Sequence, residues 1–413
     1  MEVIIVGAGV GGLTLALTLH CAGISARVFD ASPTITPLGA GINVLPHASR
    51  ELARLGLESA LAQVAVETQE AVFFNRYGQL IYREPLGRHA GYASPQFSIH
   101  RSDLQRVLLD ACRQRLGTER IHLGWKCTHF AQEYDRVAVH FADPATGAGR
   151  PPQFADVAVG CDGLHSVIRK QLHPDEGEPR YSGVNMWRGV TPWEPFLSEA
   201  SMVRAGWLTH GKMVIYPIRN NVDAKGRQLV NWVAEIETPK HREKRDWNRP
   251  GNLDDFIGAY ADWHFDWLDV PAMIRATGTI LEFPMIDQDP LPWWTAGRVT
   301  LLGDAAHPML PRGSNGAGQA ILDAKALADA LVRHDGDPGD ALVAYEAARR
   351  PATTNVVLTN RSNPPDAIIR EVYLRTGDKP FARIEDVISD DELRAISDRY
   401  KRVAQYDQES LGR

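Results

Sequence analysis

Three glycines near the N-terminus have the spacing of a phosphate-binding turn. Gly7, Gly9 and Gly12 form a GxGxxG pattern between a β-branched run and an apolar helical pattern. The first glycine permits a tight turn, the second lets a pyrophosphate approach the backbone, and the third allows close packing of helix on strand. Asp30 ends the next strand-like run, where a carboxylate can accept both hydroxyls of a ribose. Because strand, glycines, helix, strand and acid follow in that order, we predict an adenine dinucleotide site.

Two later segments carry polar residues that could complete such a site. Arg101 precedes a predicted helix, where a guanidinium can hold a phosphate or a ribityl oxygen; an exposed surface arginine is the alternative. Ser102 and Gln105 have capping-box spacing, which would explain both residues structurally. Asp162-Gly163 follows a strand-like run, and this dipeptide is also common in ordinary turns. Neither segment alone decides which dinucleotide is bound.

The segment that begins at Gly303 separates a flavin site from a nicotinamide site. A strand-like run leads into Gly303-Asp304, a proline-rich loop follows, and small residues stand at the start of a helix. An acid at a strand end and small residues at a helix start form a cradle for a flat polar ring, which bulky side chains would push off the backbone amides. An NAD-dependent dehydrogenase would leave this segment unexplained.

Together these segments resemble the flavin-dependent aromatic hydroxylases, the single-component FAD monooxygenases with the p-hydroxybenzoate hydroxylase fold. The resemblance covers roughly residues 1–360 and includes the glycine turn, the HRxxLQ segment, the DG motif and the GD motif. Within this family, three segments are most similar to the phenazine hydroxylases, namely 186–191, 287–292 and 315–320. One departure from the commoner family pattern is Ser314-Asn315, where a Gly-x-Gly often stands.

The resemblance implies a role for each polar residue of these motifs. The glycines would bind the FAD pyrophosphate, and Asp30 would bind the adenosine ribose. Arg101 and Gln105 would contact the ribityl–pyrophosphate portion, and Asp304 a ribityl or phosphate-side hydroxyl. Asp162 would support the pyrophosphate and contacts to the nicotinamide cofactor. The predicted cofactor-binding set is Gly7, Gly9, Gly12, Asp30, Arg101, Gln105, Asp162, Gly303, Asp304, Gly313, Asn315, Gly316 and Ala317.

The reaction that the resemblance implies is insertion of one oxygen atom from O₂ into an aromatic or N-heteroaromatic substrate. NADH or NADPH would be the transient reductant, FAD would be held non-covalently, and oxygen would be transferred through a flavin hydroperoxide. The loop from Gly313 to Ala317 would lie along the pyrimidine edge of the isoalloxazine. A helix start there would stabilise the negative charge of the reduced flavin. The expected substrates include phenazine-like compounds.

The substrate pocket and its catalytic groups are less closely specified by the sequence. Four residues are predicted to line the pocket: Trp187, Arg188, Tyr216 and Pro311. Core packing is an equal explanation for Trp187. No catalytic residue is assigned, because His47, His210 and His307 are each better explained by structural or solvent-facing positions. The alternatives are a decarboxylating hydroxylase of a smaller aromatic acid, and an FAD-holding oxidase or redox sensor that inserts no oxygen.

The elements that must position these residues indicate an α/β fold. We predict a Rossmann-like FAD-binding domain, an inserted and mostly antiparallel substrate sheet, and a C-terminal helical segment. The FAD-binding domain is predicted to be discontinuous, with the parts 1–70, 96–180 and 275–360. The substrate domain would comprise 71–95 and 181–274, and residues 361–413 would form the helical tail.

Composition excludes several classes of protein and partner. The chain has 413 residues, 44% hydrophobic residues and a net charge of −6, so no basic excess exists to bind nucleic acid. Its 4 cysteines lie far apart without zinc spacing, so neither a metal site nor a disulfide framework is expected. The apolar runs are shorter than a membrane span, and no basic leader precedes the first strand. We expect a cytoplasmic monomer or homodimer whose partners are a small aromatic substrate and O₂.

Overall fold

The structure, a computed structural model, describes residues 1–34, 40–238, 250–335 and 337–411. The charged segment 240–246, which the sequence predicts as a solvated loop, lies outside these ranges. The strands are β1 (Glu2–Val6), β2 (Ser25–Asp30), β3 (Gly41–Val44), β4 (Ala65–Glu67), β5 (Glu70–Phe74), β6 (Leu80–Pro85), β7 (Phe97–His100), β8 (Ile121–Leu123), β9 (Lys126–Gln132), β10 (Val137–Ala142), β11 (Gly149–Ala155), β12 (Val157–Gly160), β13 (Arg180–Trp193), β14 (Ser201–Gly206), β15 (Lys212–Arg219), β16 (Gln228–Glu237), β17 (His264–Phe265), β18 (Leu268–Asp269), β19 (Ile280–Asp287) and β20 (Val299–Leu301). The helices are α1 (Val10–Cys21), α2 (Pro46–Arg54), α3 (Glu58–Ala62), α4 (Arg101–Leu116), α5 (Val167–Leu172), α6 (Val270–Arg275), α7 (Gly316–Arg333), α8 (Pro338–Ser362), α9 (Ala367–Thr376), α10 (Asp390–Val403) and α11 (Gln408–Leu411).

A parallel sheet carries the glycine turn and the two later motifs. Its strand order is β20-β12-β1-β2-β8, and each of the four pairs is parallel. Val3, Ile4 and Ile5 of β1 are fully buried, as expected for a central strand covered on both faces. Helix α1 packs against α4 and α7. The Rossmann-like part of the predicted fold is confirmed.

A seven-stranded sheet forms the second layer of the molecule. Its order is β19-β13-β16-β15-β14-β5-β6, and every pair is antiparallel except β14 with β5. Successive side chains on a strand point to opposite faces. One face therefore packs into an aromatic core that contains Trp187 and Trp232, while the opposite face presents Arg188 and Tyr216 to a cavity. The predicted, mostly antiparallel inserted sheet is confirmed.

One strand bears on the predicted domain boundaries. Strand β19 lies within 275–360, the range that the sequence analysis assigns to the FAD-binding domain. Its backbone pairs with β13 in the seven-stranded sheet instead. The chain returns to the parallel sheet only at β20, which pairs with β12. Strand pairing alone does not define a domain, so the division into domains stays a prediction.

The C-terminal segment is helical and packs on the outer end of the seven-stranded sheet. Ile368, Ile369 and Val372 of α9 join a buried cluster with Phe73 and Tyr82. Helix α10 begins with a capping box formed by Ser389 and Glu392, a local arrangement that fixes the start of a helix. The predicted C-terminal helical segment is confirmed. No helix in the described ranges is both long enough and apolar enough to cross a membrane.

Candidate active site

A cavity of about 830 Å³ lies between the parallel sheet and the polar face of the seven-stranded sheet. In parallel α/β sheets, ligands bind outside the carboxyl ends of the strands. Here the cavity is lined by the residues that follow β1, β2, β12 and β20, together with the start of α7. The volume is within the range of small-molecule sites, near its upper end. The glycine turn, the HRxxLQ segment, the DG motif and the GD motif therefore meet in one place.

The three glycines of the turn are required for different reasons. Gly7 has a φ of +113°, and a Cβ there would overlap the carbonyl oxygen of Cys161. A Cβ at Gly12 would overlap the carbonyl oxygen of Gly7, so this glycine packs the helix on the strand and does not line the cavity. Gly9 does line the cavity, and a Cβ there would meet nothing within 4 Å. Gly9 therefore leaves space for a ligand.

This difference predicts opposite results for two alanine variants. In Gly9→Ala the new methyl group enters cavity space, so we expect an unchanged melting temperature of the FAD-free chain and about tenfold weaker FAD binding, a loss of about 1.4 kcal/mol. In Gly12→Ala the clash is with backbone, so we expect a lower melting temperature of that FAD-free chain. Differential scanning fluorimetry and a fluorescence titration with FAD measure both quantities. If the two variants have the same melting temperature and the same affinity for FAD, the different roles assigned to Gly9 and Gly12 are wrong.

Asp30 and Gln105 both hold the glycine turn through Ala8. Asp30 Oδ2 accepts a hydrogen bond from Ala8 N at 2.7 Å, and Gln105 Nε2 donates to Ala8 O at 2.7 Å. Both side chains line the cavity. Each carboxylate oxygen of Asp30 keeps a further lone pair, so a ribose hydroxyl can still donate to it. Because its Nε2 already donates to Ala8 O, Gln105 has a structural role in the glycine turn in addition to any contact with a cofactor.

The start of α4 differs from the prediction. The capping box of Ser102 and Gln105 is wrong, because the helix begins two residues earlier, at Arg101, and His100 is the N-cap, accepting from Ser102 N at 3.3 Å. Gln105 is turned toward Ala8 instead. Arg101 is exposed and lines the cavity. Its guanidinium is therefore placed to bind an anionic group of a ligand.

Asp162 lines the cavity, but its carboxylate also caps α5. It accepts hydrogen bonds from the Ser166 hydroxyl and from Val167 N, while burial raises its pKa. On the same helix, Arg169 donates to Ala305 O and Ala306 O at 2.9 Å each and is 2% exposed. Arg169 thus ties the DG motif to the GD motif. The sequence analysis missed this role, because nothing in the local pattern distinguishes a buried arginine from a surface one.

A buried ionic group supports the GD motif from below. Gly303 N donates to Asp323 Oδ2 at 3.1 Å, and His307 Nε2 lies 2.6 Å from the same oxygen. Arg349 Nε donates to Asp323 Oδ1 at 2.7 Å. Burial would raise the pKa of Asp323, but the charges of His307 and Arg349 keep that pKa below its ordinary value. This arrangement fixes Gly303, so the Asp304 carboxylate is held at the cavity surface.

The start of α7 supplies backbone N–H groups to the cavity. Asn315, Gly316 and Ala317 line it, and the Asp304 carboxylate lies 3.7 Å from the position of a Cβ on Gly316. The first N–H groups of a helix have no partner within the helix and attract negative charge. Ser314, at the departure from the family pattern, has a left-handed φ of +53°, the conformation that glycine adopts most readily. This edge can therefore hold an electron-rich, acceptor-bearing ring.

Besides Gly12, two residues of the predicted set do not line the cavity. Gly313 lies under the hydroxyl of Tyr400, and a Cβ there would overlap it. Trp187 faces away from the cavity and stacks on Phe256 at 4.9 Å between ring centroids. Its neighbours Met186 and Arg188 line the cavity instead, because alternate residues of a strand face opposite sides. Trp187 is thus a core residue.

The other predicted pocket residues, Arg188, Tyr216 and Pro311, all line the cavity. An apolar wall stands beside them, formed mainly by β19 and residues near it: Leu281, Phe283, Pro284 and Ile286. Such a wall suits a flat aromatic ring, because stacking and dispersion supply the affinity while a few polar groups set the orientation.

The three histidines considered as catalytic bases lie outside the cavity lining. His47 is fully buried and bonds Asn315 Oδ1 at 3.0 Å, and burial lowers its pKa to about 3. His210 is exposed beside Asp378, and His307 is buried against Asp323. His165, which follows the DG motif, does line the cavity. The sequence motifs assign no role to His165.

The donors and acceptors around the cavity fit a flavin dinucleotide. Gly9 leaves room at the turn, Asp30 offers acceptors, Arg101 offers a cationic group, and α7 offers N–H donors at the far end. Fold and cavity together define a dinucleotide-binding flavoprotein. Residues 1–360 match the family described as FAD binding domain, and the chain belongs to this family. It is an FAD-dependent aromatic monooxygenase that uses NAD(P)H, so the predicted cofactor and reaction class are confirmed.

Relatives agree with this assignment, and solved structures share the fold. The chain is 41% identical over 401 residues to phenazine 1,6-dicarboxylic acid hydroxylase PhzS of Lysobacter antibioticus, covering 96% of this chain and 97% of the relative. It is 35% identical over 361 residues to 3-amino-4-hydroxybenzoate 2-monooxygenase PtnB3 of Streptomyces platensis, covering 86% and 85%. Klebsiella pneumoniae HpxO with FAD and uric acid has the same fold, with a TM-score of 0.73, 22% identity and coverage of 100% and 94%. A salicylate hydroxylase substrate complex gives a TM-score of 0.74, 24% identity and coverage of 99% and 96%.

Proposed function

We propose that this monooxygenase hydroxylates an aromatic carboxylic acid of the phenazine type, and that Arg188 binds the carboxylate. The observation that carries the proposal is the environment of Arg188 in the cavity wall. Its Nη2 donates to Gly41 O at 3.1 Å, while its buried Nε has no hydrogen-bond partner in the described part of the chain. Burial lowers the pKa of this guanidinium, but an arginine stays charged in proteins. An anionic ligand group is the partner that this position lacks.

The residues around Arg188 do not neutralise it. Glu235, the acid that acts on it from a distance, is itself paired with Lys212 at 2.9 Å. Tyr216 lies beside Arg188, and burial raises the pKa of its hydroxyl, which therefore stays neutral and can donate a hydrogen bond. Arg188 is half-buried, and a ligand that fills the cavity would exclude water from its guanidinium, where a charge without a partner is costly. Binding a carboxylate between Arg188 and Tyr216 would remove that cost.

The choice of a phenazine-type acid rests on two further points. The wall from Leu281 to Ile286 gives the cavity an apolar side, and the relative with 41% identity is named for a phenazine dicarboxylic acid. The relative with 35% identity is named for an aminohydroxybenzoate, so a smaller aromatic acid is the second candidate. Both candidates carry a carboxylate, and the proposed role of Arg188 is the same for both.

The residues of this chain have defined tasks in the proposed reaction. FAD held here would supply the redox chemistry, in which two electrons from NADH or NADPH allow one atom of O₂ to enter the substrate ring and the other to leave as water. The start of α7 stabilises negative charge at the adjacent edge of the cavity. Arg188 and Tyr216 orient the substrate, while the β19 wall keeps water from the ring. Positioning and exclusion of water are the main contributions of the protein.

The test is turnover under ¹⁸O₂ with product mass measured. The panel is phenazine-1-carboxylate, phenazine-1,6-dicarboxylate, phenazine-1-carboxamide and 3-amino-4-hydroxybenzoate. We expect one labelled oxygen atom in the product of a carboxylate and much slower NAD(P)H consumption with the carboxamide, which is matched in size. Hydrogen peroxide alone with every compound would favour the oxidase or redox-sensor alternative. Equal rates with carboxylate and carboxamide would contradict the role of Arg188.

The cytoplasmic location and the monomeric or homodimeric state stay predictions.

A further inference from the structure

A series of buried side chains joins the C-terminal helix α10 to the loop that precedes α7. The hydroxyl of Tyr400, on α10, donates to Asn360 Oδ1 at 2.8 Å, and Asn360 Nδ2 donates to Leu310 O at 3.0 Å. Tyr400 is 1% exposed, and its hydroxyl lies directly over Gly313. Residues 310–316 are called the cofactor loop, and residues 361–413 the tail. The first half of the cofactor loop, residues 310–313, is therefore in direct contact with the tail.

Asn315 extends this series to the start of α7, and its amide orientation is determined by Arg349. Arg349 Nη2 donates to Gln319 Oε1 at 2.6 Å, so Gln319 Nε2 is the group that faces Asn315, at 3.3 Å from Oδ1. Asn315 Oδ1 is then an acceptor, and Asn315 Nδ2 is the donor that remains. Asn315 Nδ2 has no hydrogen-bond partner in the described part of the chain, and Gln319 Nε2 joins this series to the tail by donating to Ala404 O at 3.5 Å.

The tail is anchored on both sides of the cavity. Ser397 and Lys401 of α10 each donate to Glu84 on β6, both at 2.8 Å. Beyond α10, the ring of Tyr406 stacks on His47 of α2 at 5.5 Å. The tail therefore bridges the seven-stranded sheet and the elements that carry the cofactor loop. Neither Tyr400 nor Tyr406 lines the cavity.

We propose that α10 is a positioning element of the FAD site, and that Tyr400 couples its docking to FAD binding. The docked tail holds residues 310–316 in the shape that presents the first N–H groups of α7 to the cofactor. Coupling between two binding events is reciprocal. FAD therefore stabilises the docked tail by the same factor by which the docked tail strengthens FAD binding. This inference rests on FAD binding alone and does not depend on the substrate proposed above.

The first test removes only the hydroxyl of Tyr400. In Tyr400→Phe the ring remains, but Asn360 Oδ1 loses its donor. We expect about tenfold faster release of FAD from diluted holoenzyme, followed by the recovery of flavin fluorescence, because a buried unsatisfied polar group costs about as much as this factor requires. Tyr373→Phe, on α9 and outside the cavity lining, is the matched control and should release FAD at the wild-type rate.

The second test uses the wild-type chain, so that it does not depend on the folding of a variant. Hydrogen exchange is measured with and without saturating FAD, and we expect FAD to slow exchange in residues 390–406 as well as in 310–317. In Tyr400→Phe we expect FAD to have almost no effect on the rate of hydrogen exchange in residues 390–406. Wild-type exchange in 390–406 that does not respond to FAD would overturn the proposal. So would a Tyr400→Phe variant that folds, releases FAD at the wild-type rate and keeps the full FAD-dependent protection.

Discussion

Asp304→Ala is expected to lose most of its FAD during purification, with a dissociation constant raised about 100-fold. The carboxylate lies at the cavity surface between the end of β20 and the start of α7. We propose that it accepts a hydrogen bond from a ribityl or phosphate-side hydroxyl of FAD. Hydrogen bonds to charged groups contribute about 1.5–3 kcal/mol each, and the upper end of that range corresponds to about 100-fold in affinity.

The measurement is the ratio of flavin absorbance to protein absorbance, followed by a fluorescence titration of the FAD-free variant. Asp304→Asn keeps the shape and one acceptor but removes the charge, so we expect it to retain more FAD than the alanine variant. Asp329→Ala is the matched control, because Asp329 lies on α7 and pairs with exposed Lys325 away from the cavity. If Asp304→Ala keeps full occupancy and unchanged affinity, the assignment of the GD motif is wrong.

The parts of the site that the sequence predicted are those in which local spacing implies geometry. A GxGxxG turn needs its first glycine wherever the chain must turn tightly, and Gly7 indeed has a positive φ. Asp30 and Asp304 follow strands of one parallel sheet, and the carboxyl ends of such strands lie at one edge. Their meeting in one cavity therefore follows from the order of the elements, before any side-chain contact is known.

The parts that could not be predicted depend on register and on distant partners. A shift of one residue turns a strand side chain to the opposite face, so the sequence could not decide between Trp187 and Arg188 as the cavity residue. The spacing of Gln105 indicates a helix cap and the resemblance implies a cofactor contact, whereas the residue that it contacts, Ala8, lies 97 positions away. Tyr400 contacts Asn360 across 40 positions. No local pattern records such pairs.

The buried ionic group under Gly303 gives a weaker but real sequence signal. Asp323 stands among core positions of α7, next to Ala324, and is fully buried. A charged residue at a core position of a helix is seldom buried without a partner. The pattern therefore indicates that a cation must lie nearby. The pattern does not show which residue supplies that cation, because Arg349 lies on the following helix, α8, and His307 lies before the loop that leads into α7.

Arg188→Ala is expected to raise the KM of a carboxylate substrate about 100-fold while leaving FAD content unchanged. Removing one partner of a buried, hydrogen-bonded charge pair costs about 2–5 kcal/mol, and about 2.7 kcal/mol corresponds to 100-fold. The size of the effect depends on the ligand. A carboxylate would lose its counterion in the variant, whereas a carboxamide of the same size would lose only a neutral hydrogen bond.

The comparison of these two ligands separates binding from folding. For each enzyme, kcat/KM is measured with phenazine-1-carboxylate and with phenazine-1-carboxamide, and we expect the preference for the carboxylate to fall by at least tenfold in Arg188→Ala. Arg188→Lys should recover part of it, because a lysine restores the charge without the planar fork of an arginine. Arg83→Ala removes an exposed arginine that pairs with Glu70 and should leave the preference unchanged. A variant that loses equal activity toward both ligands would show that Arg188 shapes the cavity, and a substrate other than a carboxylate would then have to be sought.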